Sequence, residues 1–315
     1  MKIILPKDIT TELEAHLPDE VVVVRADSEG NLDGDTTDAE VYFSWFNLKP
    51  KTLHRVLEAA PQLRWHHAPN AGVNHIITPQ YLERNLILTN GAGVHAIPIA
   101  EFAIAYMLSH AKQLPQLYKQ QLEHNWQRGL AIEELLDKTL LIIGAGGIGQ
   151  EIASRAKAFG MRILGSRRHP QPLPNFDKVV GADEWKELLG EADYVVIATP
   201  LTWDTKGMID TEVLCLMRPS AYLINIARGA IVDEFALVEA LQNGEIAGAA
   251  LDTVFTEPLP PESLLWSLPN VVITPHCSGN SPRTKERSLA LFIDNFTRYR
   301  HGQPLHNVVD QTAGY

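Results

Sequence analysis

The chain has 315 residues, of which 45% are hydrophobic and 21% charged, and a formal net charge of −11. At about 150 residues per domain this predicts two domains, each able to bury a core, and it excludes a disordered chain. The acidic balance argues against a nucleic-acid protein, since no basic face is evident to neutralise phosphates, yet a locally basic site could still take an anionic small molecule.

In chain order, β-branched runs alternate with helical patterns. Strands are predicted near Lys2–Leu5, Val21–Val24, Glu40–Phe43, Leu63–His67 and Leu86–Thr89. Helices lie between them near Asp8–Leu17 and Pro50–Ala59, with a shorter helical turn opening at Thr78-Pro79. Apolar positions then recur at three and four residues from about Ile97 to Gln121, a long helix that Pro115 should kink or end. A second series of strands follows, near Thr139–Ile143, Met161–Gly165, Tyr194–Thr199, Ala221–Asn225, Gly248–Asp252 and Val271–Thr274. The segment His169–Phe176, with three prolines, reads as a rigid loop, and the last helix runs from about Arg283 to Arg300. Such alternation predicts an α/β protein whose parallel sheets are covered by helices.

Cys215 and Cys277 are the only cysteines, too few for a disulfide framework or a zinc cluster. A reducing compartment and no metal are expected. Met1–Pro6 lacks the apolar core of a signal peptide. The most apolar stretch, Ala96 to Ala111, is interrupted by Glu101 and His110 and falls short of the ~18 residues of a membrane span. A cytoplasmic protein with neither membrane nor nucleic acid as partner is the expectation.

The strongest motif is Leu140-Leu-Ile-Ile-Gly144-Ala-Gly146-Gly147-Ile148-Gly149. An apolar strand precedes it. The helix after it carries Ile148, Ile152, Ala156 and Phe159 on one face, and Gly160 closes that helix before the next strand, so a whole βαβ unit is present. Gly144 permits the tight turn, Gly146 lets the backbone approach a pyrophosphate, and Gly149 lets helix pack on strand. The helix-start N–H groups then face the phosphates. NAD-binding versions usually end the second strand with Asp or Glu, for the ribose hydroxyls. Here Ser166-Arg167-Arg168 stands there, and the first acid after Glu151 is Asp177. Two guanidiniums and a hydroxyl suit a 2′-phosphate, which favours NADP(H) while leaving NAD(H) usable.

Ligands in doubly wound sheets bind beyond the C-terminal ends of the strands. Three successive strands here are followed by Ile226-Ala227-Arg228-Gly229, by Thr253-Val-Phe-Thr-Glu257-Pro, and by Pro275-His276-Cys-Ser-Gly279. Each polar residue has a plainer alternative: a structural ion pair for Arg228, a surface acid for Glu257, a turn cap for His276. A cation, a carboxylate and an imidazole on neighbouring strand ends nevertheless form a constellation for acid/base chemistry beside a nicotinamide. Asp233 reads instead as the N-cap of a helix over Glu234–Asn243.

With these segments the chain resembles the D-isomer-specific 2-hydroxyacid dehydrogenase family, in particular its glyoxylate/hydroxypyruvate reductase branch. The resemblance is carried by Gly144–Gly149, Ala198-Thr-Pro200-Leu-Thr202 with Thr205, Leu223 to Asp233, Ala250-Leu-Asp252 with Glu257-Pro-Leu-Pro260, and Leu268 to His276. Asn70 to His75 and His95 to Glu101 match more loosely. The family implies two doubly wound parallel-sheet domains, with a Rossmann dinucleotide-binding domain inserted into a flavodoxin-like substrate domain. Residues 1–98 and 286–315 would form the substrate-binding domain and 99–285 the dinucleotide-binding domain, and the cleft would close to exclude water.

The resemblance also implies NADP(H)-dependent reduction of a small 2-keto acid to the D-2-hydroxy acid. His276 would be the general acid, and Glu257 would hydrogen-bond it and favour the proton-loaded imidazole that reduction needs. Arg228 would bind and polarise the keto acid. Backbone N–H groups of Ala71, Gly72 and Val73 would form a nest for its carboxylate. Asp252 would hold the nicotinamide carboxamide, while Pro200, Thr205, Ala227 and Gly279 would line the cofactor. A homodimer built on the helix starting near Ile97 is implied, and the run Ala100–Leu108 fits a buried face there or in the chain's own core. Trp45, in Ser44-Trp-Phe-Asn47, would bound the substrate side chain. An alternative function is a non-catalytic, dinucleotide-sensing corepressor-like protein on the same fold. Formate oxidation is disfavoured because such enzymes pair the histidine with Gln where this chain has Glu257, and a P-loop NTPase is excluded for want of a GxxxxGK[ST] motif.

Overall fold

A computed structural model describes residues 1–46, 48–73 and 76–311. Asn47, Asn74 and His75 of the segments above, and the tail 312–315, lie outside the described residues. The chain divides into two compact units, Met1–His95 with Ser281–Tyr315, and Ala96–Asn280.

The first unit holds five parallel strands: β1 (Lys2–Pro6), β2 (Val22–Ala26), β3 (Ala39–Phe43), β4 (Trp65–His67) and β5 (Ile87–Thr89). Their order, β2-β1-β3-β4-β5, is that of flavodoxin-like sheets. Apolar residues of β1, β3 and β4 pack against the C-terminal helix Thr284–Arg300, where Phe292 stacks on Phe43 with ring centroids 4.5 Å apart. On the opposite face lies the helix Pro50–Ala59, whose Leu53, Val56 and Leu57 are buried.

The fourth strand ends in two fully buried histidines. His66 pairs with Tyr81 Oη (3.0 Å) and Ser44 Oγ (2.9 Å), and His67 Nδ1 with Thr89 Oγ1 (2.8 Å). Burial pushes His67 from 6.5 down to about 3. The folded protein therefore keeps it neutral at pH values where the unfolded chain binds a proton. That contribution is whole above about pH 6.5 and is lost as pH falls towards 3, by at most ~1.4 kcal/mol per pH unit. Urea unfolding from pH 7 to pH 4 should accordingly show a flatter acid limb for His67→Leu than for wild type. Equal slopes would remove this assignment.

The second unit contains β6 (Thr139–Ile143), β7 (Arg162–Ser166), β8 (Lys178–Val180), β9 (Tyr194–Ile197), β10 (Tyr222–Asn225), β11 (Gly248–Leu251) and β12 (Val271–Ile273). They form one parallel sheet ordered β12-β11-β10-β9-β6-β7-β8, with the reversal of a doubly wound sheet beside β6. Both faces are covered, so the strands read as nearly continuous apolar runs. On one face Ala100, Ala103, Ile104, Tyr106 and Met107 of the helix Ala96–Ala111 share a core with Ile152, Ala153 and Ala156 of the helix Gly147–Ala158. The Ala100–Leu108 run is therefore largely consumed inside the unit.

Three local readings need correction. The long helix breaks at Gln113, whose φ is 54°, and Pro115 sits in the first turn of a new helix, Leu114–Leu122. Proline there starts a helix rather than kinking one, because its missing N–H falls where no intrahelical bond is needed. Lys178–Val180 is an edge strand too short to show a period of two. The first helical segment is only a 3₁₀ turn, Lys7–Ile9, followed by a short α-helix, Thr10–Glu14.

Candidate active site

The strand register brings the candidate residues to one edge of the second unit. Ser166 pairs with Ile143, Ile143 with Ile197, Ile197 with Asn225, Asn225 with Leu251, and Leu251 with Ile273. At roughly 4.8 Å per strand, that row places the end of β10 about 10 Å from the end of β6. Everything after these residues in sequence emerges on the same side of the sheet.

Gly144 and Gly149 make the turn after β6 possible. A Cβ on Gly144 would meet Ala198 backbone at 2.6 Å, and one on Gly149 would meet the Gly144 carbonyl oxygen at 2.4 Å. Beside Gly146 and Gly147, in contrast, a Cβ would meet nothing within 4 Å, and no side chain caps the helix Gly147–Ala158. Ile148 follows within that first turn. Open space next to uncapped helix-start N–H groups is a cradle that fits a pyrophosphate.

Ser166, at the end of β7, is buried and its carbonyl accepts from the N–H groups of Gly144 and Ala145. Arg167 is half-buried and Arg168 exposed at the adjoining turn. Asp177 is committed elsewhere, accepting from Lys157 Nζ (2.8 Å) and Ile163 N (2.7 Å), so no acid competes at that turn from this residue. The loop after β9 is closed by Thr205, whose Oγ1 donates to the Pro200 carbonyl and accepts from Thr202 N, both at 2.7 Å.

The Arg228 turn is built by Asn225. Its Oδ1 accepts from Ala227 N (3.1 Å) and its Nδ2 donates to the Arg228 carbonyl (3.0 Å). Arg228 is exposed, with one guanidinium nitrogen on the Ala227 carbonyl at 2.7 Å. Asp233 caps the helix Glu234–Asn243 by accepting from Phe235 N and Ala236 N, as expected. From the next strand end, Glu257 folds back so that Oε1 accepts from Val254 N (3.3 Å). Its Oε2 lies 2.8 Å from His276 Nδ1. Both side chains remain partly solvent-accessible, and Nδ1 is the imidazole nitrogen that Glu257 engages.

His276 itself adopts φ 50°. Its N–H donates to the Asp252 carbonyl at 2.9 Å, and the next two N–H groups, of Cys277 and Ser278, donate to the Asp252 carboxylate. Asp252 is 2% exposed, and both of its oxygens are engaged by donors of its own unit. Gly279 follows, half-buried. Asn225, Thr274 and Ser278 were not among the residues the motifs pointed to; a polar residue closing an apolar strand is the signal that would have found the first two.

In the first unit, Ala71 and Gly72 are exposed and Val73 is buried. Asn90 Nδ2 donates to the Ala71 carbonyl at 2.8 Å, which anchors that loop. Trp45 is half-buried, edge-on to Phe43 with centroids 5.8 Å apart, and packs on the core of its unit. Among the described residues no group of three or more His, Cys, Asp or Glu could hold a metal ion, and no helix is long and apolar enough to cross a membrane.

A family model for the NAD-binding domain of D-isomer specific 2-hydroxyacid dehydrogenases matches residues 104–278. The chain belongs to that family. This dehydrogenase is 35% identical over 266 residues to a glyoxylate reductase from Korarchaeum cryptofilum, covering 81% of this chain and 79% of that one. It is 33% identical over 315 residues to a glyoxylate/hydroxypyruvate reductase B from Pectobacterium carotovorum, covering 98% and 97%. Among solved structures it is similar to an NADPH-dependent glyoxylate/hydroxypyruvate reductase from Sinorhizobium meliloti, in complex with NADP and sulfate. That similarity has a TM-score of 0.84 at 27% identity and covers 100% of this chain and 99% of the other. The dehydrogenase is thus an oxidoreductase that uses a nicotinamide dinucleotide, and the catalytic reading holds over the non-catalytic, dinucleotide-sensing one.

Proposed function

We propose that this dehydrogenase reduces a small 2-keto acid, glyoxylate or hydroxypyruvate, to the D-2-hydroxy acid and prefers NADP(H) to NAD(H). The observation that carries the reading is the His276–Glu257 pair, 2.8 Å apart, on strand ends adjoining the Arg228 turn. When bound, the reduced nicotinamide supplies the hydride. Glu257 accepts from Nδ1–H and so leaves the Nε2 proton of His276 for the carbonyl oxygen as charge develops there. Arg228 polarises that oxygen and holds the substrate carboxylate. The carbonyl becomes an alcohol, and the imidazole is reloaded with a proton from solvent. Ala71, Gly72 and Val73 contribute backbone N–H groups to carboxylate binding, and Trp45 bounds the substrate side chain.

For the cofactor, Gly144, Gly146, Gly147, Ile148 and Gly149 hold the pyrophosphate, and Ser166, Arg167 and Arg168 the 2′-phosphate. Pro200, Thr205, Ala227 and Gly279 line the nicotinamide side, and Asp252, whose carboxylate is taken up by the turn after β12, contributes there through that turn. The test is NADPH and NADH oxidation with glyoxylate, hydroxypyruvate, pyruvate and branched 2-keto acids; no oxidation with any of them sinks the proposal. Replacing Arg167 and Arg168 together by Ala should raise the KM for NADPH at least about tenfold and leave that for NADH nearly unchanged, since each charge-assisted phosphate contact contributes roughly 1.5–3 kcal/mol. Equal losses with both cofactors would refute the phosphate assignment.

A cytoplasmic homodimer completes the proposal. Leu114, Tyr118 and Leu122 line one exposed face of a helix in the second unit, and Trp126 beyond it is 90% exposed. Apolar surface of that kind supports a partner copy there, rather than on the Ala100–Leu108 run. Sedimentation velocity reads the outcome directly, and a monomer at micromolar concentration would remove the dimer.

A further inference from the structure

We infer that Tyr106 and Thr274 are positioning residues for His276, acting through Asp252; the inference rests on the reading of His276 as the proton donor. Tyr106 lies on the helix Ala96–Ala111, far from the strand ends in sequence, and is 4% exposed. Its hydroxyl is 2.6 Å from Thr274 Oγ1, and Thr274 Oγ1 in turn donates to Asp252 Oδ1. The same oxygen accepts from Cys277 N at 2.9 Å and Ser278 N at 3.2 Å, and Oδ2 accepts from Ser278 N and Ser278 Oγ.

The proton order in this chain of hydroxyls follows from valence. A carboxylate only accepts, so the single Thr274 proton is committed to Asp252, and Thr274 must accept from Tyr106. Burial pushes the Tyr106 phenol up to about 12, which keeps its proton in place across any ordinary assay range. What the chain holds is a strained turn. A non-glycine residue at φ 50° is uncommon, and His276 stays there because its own N–H and the next two all close on Asp252. Rotation of the Asp252 carboxylate would release Cys277 and Ser278, and with them the backbone that aims the imidazole at Glu257. The Tyr106–Thr274 arm opposes that rotation by holding the same oxygen, Oδ1, that Cys277 N and Ser278 N hold.

The experiment compares Thr274→Val, Thr274→Ser, Tyr106→Phe and the Tyr106→Phe/Thr274→Val double variant. Two readouts are kcat and KM with glyoxylate and NADPH, and the Cε1–H resonance of His276 in histidine-labelled enzyme without cofactor, identified by its absence from His276→Ala. Thr274→Val should lower kcat roughly tenfold and Tyr106→Phe several-fold, a fraction of the ~100-fold attached to a 1 Å misplacement, with both KM values within about twofold. Thr274→Ser should restore kcat, and the double variant should be no worse than Thr274→Val, because both changes cut one chain. The His276 resonance should shift or broaden in Thr274→Val and Tyr106→Phe alike. An unchanged resonance in both variants, or a Thr274→Ser as impaired as Thr274→Val, overturns the inference. Wild-type enzyme inactive on every 2-keto acid would instead defeat the function proposed above, and the resonance would still decide the positioning.

Discussion

His276→Ala should lower kcat for glyoxylate reduction by about 10²–10⁴-fold, the range set by a positioned proton donor, and should leave NADPH binding unchanged. The separation of the two effects follows from the sheet. His276 follows β12, whereas the glycine turn and Ser166-Arg167-Arg168 follow β6 and β7, on the other side of β9, β10 and β11. Removing the imidazole leaves that turn and its hydrogen bonds to Ser166 untouched. It also strips Glu257 Oε2 of its 2.8 Å partner without unpacking any core, since both side chains are partly exposed. The check is stopped-flow or steady-state kcat beside NADPH fluorescence titration. Activity retained within tenfold would take His276 out of the proton-donor role, and a parallel collapse of NADPH binding would show that the substitution acts on the fold instead.

Gly229→Ala is expected to cost at least about 100-fold in kcat, although Gly229 carries no chemistry. A Cβ at this position would lie 1.9 Å from the Val254 carbonyl carbon, 2.0 Å from its oxygen and 2.4 Å from Phe255 N. All three are backbone atoms, so no flexible side chain can give way. The Val254–Phe255 peptide has to move, and it belongs to the loop in which Val254 N holds Glu257 Oε1. Arg228 directly precedes the glycine, so the same overlap bears on its turn. A relative shift of about 1 Å between catalytic groups is enough for a loss of this size. Overpacking by one methyl should also lower stability by roughly 1–3 kcal/mol, visible as a lower Tm. Near-normal kcat with normal Tm would mean that the two loops do not depend on this contact.

These two positions differ in how legible they were. His276, Glu257 and Arg228 could be picked out because each is a chemically capable residue in the loop that follows an apolar run, and strands of a parallel sheet end on the same side. The fingerprint was legible from its spacing after an apolar strand, although only the Gly149 contact, on the Gly144 carbonyl, is local; the backbone that forbids a Cβ on Gly144 is that of Ala198, after β9. Gly229 has no local signature of its steric role, because the peptide that forbids its Cβ lies 25 residues later in the chain. Tyr106 sat in an apolar helical run, where a phenol reads as core, and only the packing of that helix against the sheet brings its hydroxyl to Thr274. The break falls at Gln113 and not at Pro115, because proline is at home in a first turn and the left-handed Gln113, two residues earlier, makes the bend.

The class of architecture, the glycine fingerprint and the residue types available for chemistry are thus written in local pattern. Those follow from periodicity and from glycine spacing, and a net charge of −11 does not mask them, because a local group of arginines can oppose the global charge. The register that aligns Asn225, Leu251 and Ile273, the 2.8 Å approach of Glu257 to His276, and the saturation of Asp252 by the turn that follows β12 emerge only when the sheet is assembled. The reason is physical. Strand pairing and loop closure join residues many positions apart through backbone hydrogen bonds that carry no side-chain signature, so the chain encodes which groups are present locally and their mutual geometry only through the packing of the whole sheet.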